Sequence, residues 1–170
     1  GIPLEALGSG RARVTEEDGA NQLFEREVGR MSEATFLSKL GGALSEHLGD
    51  SVRMHGFTDV YFANLHPNEE LIDHMRGLRD RGYRMAILTN NVREWEPLWR
   101  AKLPVDEIFE LVVDSAFVGM RKPDPAIYEL TLERLGLPGE ACLFVDDLEI
   151  NCDAARALVM TSVWFRDTAQ

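Results

Sequence analysis

Cysteine is scarce in this chain: two residues, Cys142 and Cys152, among 170. Two thiols build neither a disulfide framework nor a four-ligand zinc site. They read as buried free thiols in a reducing, cytoplasmic compartment. Long apolar runs are missing as well. No stretch approaches the roughly 20 apolar residues of a membrane span, and no basic-then-apolar leader is visible, so a membrane partner is not expected. Positive charge is in deficit, with 18 Lys and Arg against 29 Asp and Glu and a net charge of -11. That balance argues against non-specific nucleic-acid binding and docking on anionic lipid. A phosphorylated small molecule remains an acceptable partner if a local cation offsets the field. The chain opens on Gly1 rather than Met, so a preceding head segment is expected.

What is present suits one soluble domain, or a core with a small insertion: 45% apolar and 28% charged residues. Residues 1–14 carry Pro3, Gly8 and Gly10 and read as connection. Thr15-Glu-Glu-Asp18 resembles a helix start, with a helix expected to run to about Val28. Ser32 caps a second expected helix over 33–48, in which Phe36, Leu37, Leu40 and Leu44 recur at helical spacing. The mixed stretch 52–65 is read as helix. Residues 15–66 thus form a helical block with no strand signal.

From about residue 67 the pattern changes. Asn68 starts a helix that Gly82 stops, and Met85–Leu88 forms a short buried strand. Residues 92–103 read as a helix broken or restarted at Pro97. Leu111–Val113 is the next strand, and Asp124-Pro125 caps the next helix. Strands at 142–145 and 162–165 enclose a helix over about 150–158. Helix and strand alternate, which predicts an α/β fold: a parallel sheet flanked by helices, with right-handed crossovers.

Chemistry gathers where these strands end. Leu143-Phe-Val145, expected to be covered on both faces, runs into Asp146 and Asp147. Two adjacent carboxylates repel, so a cation should compensate them, and Mg2+ is the natural choice. An acidic turn that merely caps the following helix is the plainer alternative. Thr89 closes another strand, and Lys122 lies between a strand and a helix N-terminus. Taken singly, these are a strand-end cap and a solvated loop lysine. Parallel strands place their carboxyl ends on one rim, so together they make an inventory for phosphoryl chemistry.

Ala86-Ile-Leu-Thr-Asn90 resembles the second motif of the haloacid dehalogenase (HAD) superfamily. Arg121-Lys-Pro-Asp-Pro-Ala-Ile-Tyr128 resembles its third, and Phe144-Val-Asp-Asp-Leu-Glu-Ile-Asn151 its fourth. The resemblance covers residues 69–167 and is strongest to the branch containing the phosphatase domain of soluble epoxide hydrolases. It implies a HAD-like Rossmannoid core over 67–170, and a small helical cap over 15–66. It further implies a Mg2+-dependent phosphatase of a small phosphorylated metabolite. Thr89, Asn90 and Lys122 would hold the phosphate, Asp147 would ligate the metal, and Asp146 would orient the lysine or a metal-bound water. Lys122 and Asp146 are the candidate catalytic residues. True haloacid dehalogenases, which need no metal, resemble the Asp-Asp pair less.

Two departures stand out. Relatives usually end the helix after the fourth motif in Gly-Met, where this chain has Val159-Met160. A β-branched residue resists the left-handed turn expected there. The chain also contains no Asp-x-Asp, the first motif that carries the aspartyl nucleophile at the end of the central strand. Residues 3–7 resemble the segment just after that motif in relatives. The expectation is a phosphatase lineage whose nucleophile segment is missing from this sequence, leaving this exact chain inactive. The alternative is a non-catalytic HAD-like binding or regulatory module. Substrate identity and oligomeric state stay open.

Overall fold

A computed structural model describes residues 21–169 of the chain, together with positions 12 and 15. The expected connection over 1–14, and most of the helix start at 15–18, fall outside these residues. No described helix is long and apolar enough to cross a membrane.

The expected continuous helix down to Val28 is instead a new start at Asn21. Its side chain accepts from Leu23 N at 3.1 Å and opens the Gln22–Glu27 helix. Ser32 then caps Glu33–Leu48, accepting from Thr35 N at 3.2 Å. That helix buries Phe36, Leu40 and Leu44 against Val52 and Met54. The stretch read as helix over 52–65 narrows to Phe57–Asn64, which starts only after Gly56. Gly29, at φ 72°, lets this helical block approach the core: a Cβ there would lie 2.3 Å from the Ala116 carbonyl oxygen.

The core alternates as expected. After the Glu69–Asp80 helix come four strands: β1 (Ala86–Thr89), β2 (Leu111–Asp114), β3 (Leu143–Asp146) and β4 (Thr161–Trp164). β1 pairs in parallel with β2, aligning Thr89 with Asp114; β3 pairs in parallel with β4, aligning Asp146 with Trp164. The two pairs are not hydrogen-bonded to each other, so among the described residues β1 and β3 are each paired along one side only. Pro97 restarts the helix over 92–103 as expected: a single 3-10 turn, Arg93–Trp95, precedes Glu96–Arg100. Short helices at Val105–Ile108 and Ser115–Val118 had no periodicity to announce them. Asp124 caps Pro125–Leu135 through Ala126 N at 3.0 Å.

The expectation that β3 is covered on both faces is corrected. Phe144 packs with Val113, Ile127, Tyr128, Cys152 and Ala155 in the main core, but Leu143 and Val145 on the opposite face are 61% and 49% exposed. Alternate strand residues point to opposite faces, and no described element covers the second one.

Of the two outcomes open to the Val159 turn, a different build or a strained one, the structure has the strained one. Val159 sits at φ 56°, the one non-glycine residue at positive φ among those described. Its N–H donates to Arg156 O at 3.0 Å, while Met160 N donates to Ala155 O at 3.2 Å, closing the Glu149–Ala157 helix. With 67% of its surface exposed, Val159 gains little packing in return. Val159→Gly is therefore expected to stabilise the protein by about 1 kcal/mol, after the greater backbone freedom of glycine in the unfolded chain is subtracted. The check is a higher denaturant midpoint at unchanged m-value.

Candidate active site at the joint of the two strand pairs

Lys122 is no solvated loop lysine. It is 8% exposed, and its ammonium donates to Leu88 O of β1 at 2.7 Å and to Asp146 Oδ2 of β3 at 2.6 Å. One cation thereby ties the ends of two strands that share no backbone hydrogen bond, which puts those ends on one rim. The lysine backbone is clamped as well: Lys122 N donates to Asn90 Oδ1 at 2.8 Å, and Asn90 Nδ2 donates to Lys122 O at 2.9 Å. The Lys122–Pro123 peptide is cis.

Asp146 is fully engaged. Its Oδ1 accepts from Leu148 N at 2.9 Å and from Asn151 Nδ2 at 2.8 Å. It therefore caps the following turn, as the plainer sequence reading allowed, and holds the lysine too. Asp147, beside it, is exposed. Its backbone carbonyl accepts from the Trp164 indole at 3.0 Å, but its carboxylate makes no hydrogen bond or ion pair among the described residues. The Thr89 hydroxyl, half-buried at the end of β1, is likewise uncommitted there. The rim thus brings together Thr89, Asn90, Lys122 and Asp146, and leaves Asp147 at its outer edge.

Among the described residues no set of three or more His, Cys, Asp or Glu converges. A free carboxylate next to a committed one still fits Mg2+, which takes one or two carboxylates and completes its shell with water and phosphate. The cysteines offer no nucleophile: burial pushes the thiol pKa of both Cys142 and Cys152 up.

Sequence reasoning missed the contacts between helical block and core. Glu33 Oε1 accepts from the Trp95 indole at 2.7 Å, from Thr58 Oγ1, and from Arg26 at 3.5 Å. The Arg26 guanidinium is buried between the Phe36 and Trp95 rings, 4.3 and 5.3 Å from their centroids, and burial lowers its pKa. Arg121, beside Lys122, donates to Glu27 at 2.7 Å and lies 3.7 Å over the Phe24 ring. These partners are up to 94 positions apart, and no local pattern announces them. Between the two parts lies a cleft of about 220 Å3 that includes Asn90, Asn91, Trp95 and Trp99 from the core.

The model of haloacid dehalogenase-like hydrolases matches residues 5–158 of the chain. The chain belongs to this family. Of curated HAD relatives, the glyceraldehyde 3-phosphate phosphatase of Pyrococcus abyssi is 37% identical over 92 residues, 52% of this chain and 38% of that protein. The rat bifunctional epoxide hydrolase 2 is 29% identical over 109 residues, 60% of this chain and 19% of that protein. The chain spans well under half the length of these curated relatives. Among solved structures, a point mutant of a HAD-family enzyme from Bacteroides thetaiotaomicron, crystallised with magnesium and inorganic phosphate, superposes at TM-score 0.69 with 21% identity, covering 96% of this chain and 86% of that one. A HAD-like hydrolase from Porphyromonas gingivalis gives 0.68 at 24% identity, over 94% and 80% of the two chains. These neighbours establish the HAD fold.

Two outcomes are expected of the site. Removing one partner of a buried ion pair strands the other charge, so Lys122→Ala should cost about 3 kcal/mol of stability, and Asp146→Asn less, because an amide can still accept from Lys122. Urea titration of the variants measures both. Asp114, 5% exposed at the end of β2, has its carboxyl pushed up by burial, with the Ala116 N–H, donating to its Oδ1 at 3.0 Å, pulling the other way. Its folded pKa lies above the unfolded one, so this group adds stability as pH falls through the folded value. Between pH 7 and 4, wild type should lose less stability than Asp114→Ala.

Proposed function

We propose that the chain forms the cap and most of the core of a Mg2+-dependent phosphatase acting on a small phosphorylated metabolite. The observation that carries this reading is the Lys122 ammonium, held at the strand rim by Leu88 O and Asp146 at 2.7 and 2.6 Å. Fixed donors aimed where phosphate charge develops need no reorganisation during reaction, and such preorganisation is usually the largest catalytic term. Thr89 Oγ1, the adjacent amides and Asn90 would bind phosphate oxygens while Lys122 offsets their charge. Asp146 keeps the ammonium oriented, and Asp147 would hold the Mg2+. When bound, that ion would neutralise phosphate charge as a Lewis acid.

The nucleophile is the part the 170-residue sequence does not supply, since it contains no Asp-x-Asp. In this reading a strand ending in that motif seats between β1 and β3, and its first aspartate forms an aspartyl phosphate that water then hydrolyses. The single-sided pairing of β1 and β3 and the open face of Leu143 and Val145 support it. The division into a cap over 15–66 and a core over 67–170 belongs to the same proposal. The Glu33–Trp95 and Glu27–Arg121 contacts lie across that boundary.

The 170-residue chain is expected to bind inorganic phosphate with Mg2+, to lose that binding in Lys122→Ala, and to hydrolyse p-nitrophenyl phosphate negligibly. Adding a preceding segment that ends in Asp-x-Asp should restore turnover that Asp147→Asn abolishes. Robust turnover without the segment would place the nucleophile elsewhere. Absence of phosphate binding would favour a non-catalytic module.

A further inference from the structure

The cleft beside Asn90 narrows the substrate class, an inference that rests on the phosphatase reading. Its walls are aromatic. Tyr61 stacks on Trp95 with centroids 4.8 Å apart, Phe62 meets Trp95 edge-on at 5.3 Å, and Trp99 completes the lining. Two charged side chains also reach the cleft, and both are already balanced: Arg26 by Glu33 at 3.5 Å, and Glu27 by Arg121 at 2.7 Å. A second anionic group on a substrate would find no cation without a carboxylate partner among the described residues of these walls. To gain one it would have to displace Glu33 or Glu27, leaving that carboxylate unpaired at low exposure.

Size and apolar lining point the same way. The cleft holds about 220 Å3, below the range of roughly 300–1,000 Å3 typical for drug-sized ligands. An apolar cavity of about 150 Å3 takes benzene, so one ring with its ester oxygen fits, and a neighbouring apolar hollow of about 360 Å3 shares Tyr61 and Leu65 with the cleft. We infer that the leaving alcohol is neutral and apolar or aromatic. The substrate class is a phosphomonoester of an aryl or alkyl alcohol, rather than a phosphorylated carboxylic acid or a bisphosphate.

Calorimetric titration of the 170-residue chain with inorganic phosphate, phenyl phosphate and phosphoglycolate, each with Mg2+, tests this. Phenyl phosphate should bind about tenfold tighter than inorganic phosphate through ring burial, and phosphoglycolate more weakly than phenyl phosphate. Tyr61→Ala should shrink the ratio of phenyl phosphate to inorganic phosphate affinity. Leu65→Lys, which adds an uncommitted cation to the lining, should shift preference toward phosphoglycolate. If phosphate binds but phenyl phosphate binds no tighter, or phosphoglycolate is preferred by the unmodified chain, the substrate inference alone is overturned. If inorganic phosphate does not bind at all, the phosphatase reading fails and takes this inference with it.

Discussion

Two strand pairs that share no backbone hydrogen bond among the described residues meet at the ammonium group of Lys122. Its contacts with Leu88 O and Asp146 Oδ2 cross the gap between β1 and β3. A buried cation is tolerable only when paired and hydrogen-bonded, and here both conditions are met by groups at strand ends. Asp146 is itself held by Leu148 N and Asn151 Nδ2, and burial pushes the Tyr128 hydroxyl pKa up, so it stays protonated and donates to Asn151 O at 2.9 Å. The lysine is thus the outer end of a hydrogen-bonded chain rooted in the main core, beside the T-shaped Tyr128–Phe144 pair at 5.3 Å.

The joint between helical block and core follows the same logic of compensated burial. Arg26 is 2% exposed, and its charge is tolerated because Glu33 and two aromatic faces surround it. Glu33 in turn gathers Trp95 and Thr58, so one carboxylate links the Glu33–Leu48 and Phe57–Asn64 helices to the core. The Arg121–Glu27 pair makes a second tie one residue from Lys122. The paired charges that stabilise this joint also line the cleft, beside Tyr61, Trp95 and Trp99.

Local signals carried much of the architecture. Ser32, Asn68 and Asp124 each cap the helix expected after them, because a cap is a contact between residues two or three apart. The strands were legible from short apolar runs, and all four lie within one residue of their expected bounds. Val159 was legible as a strained turn for an equally local reason, the clash of a β-branched side chain with left-handed backbone. The short Val105–Ile108 and Ser115–Val118 helices were not legible, since a single turn has no period to detect. The open face of β3 was not legible either: Leu143, Phe144 and Val145 are equally apolar, and only the neighbours decide which face is covered.

The sequence by itself determined the family and the rim inventory, Thr89, Asn90, Lys122, Asp146 and Asp147, because these residues lie within recognisable motifs, four of them at or just past strand ends and Lys122 in the loop before the Pro125–Leu135 helix. Tertiary structure decided which carboxylate the lysine takes. Asp146 and Asp147 are chemically alike and adjacent, but successive strand-end side chains point to opposite faces, so one is buried against Lys122 and the other exposed. Tertiary structure also decided that Arg26 and Glu27 are already paired: Glu33 reaches Arg26 where two helices of the helical block pack together, and Arg121 reaches Glu27 only when that block folds onto the core. Local patterns report on contacts a few residues apart, and both decisions rest on which distant side chains, or which face of a strand, the fold brings together.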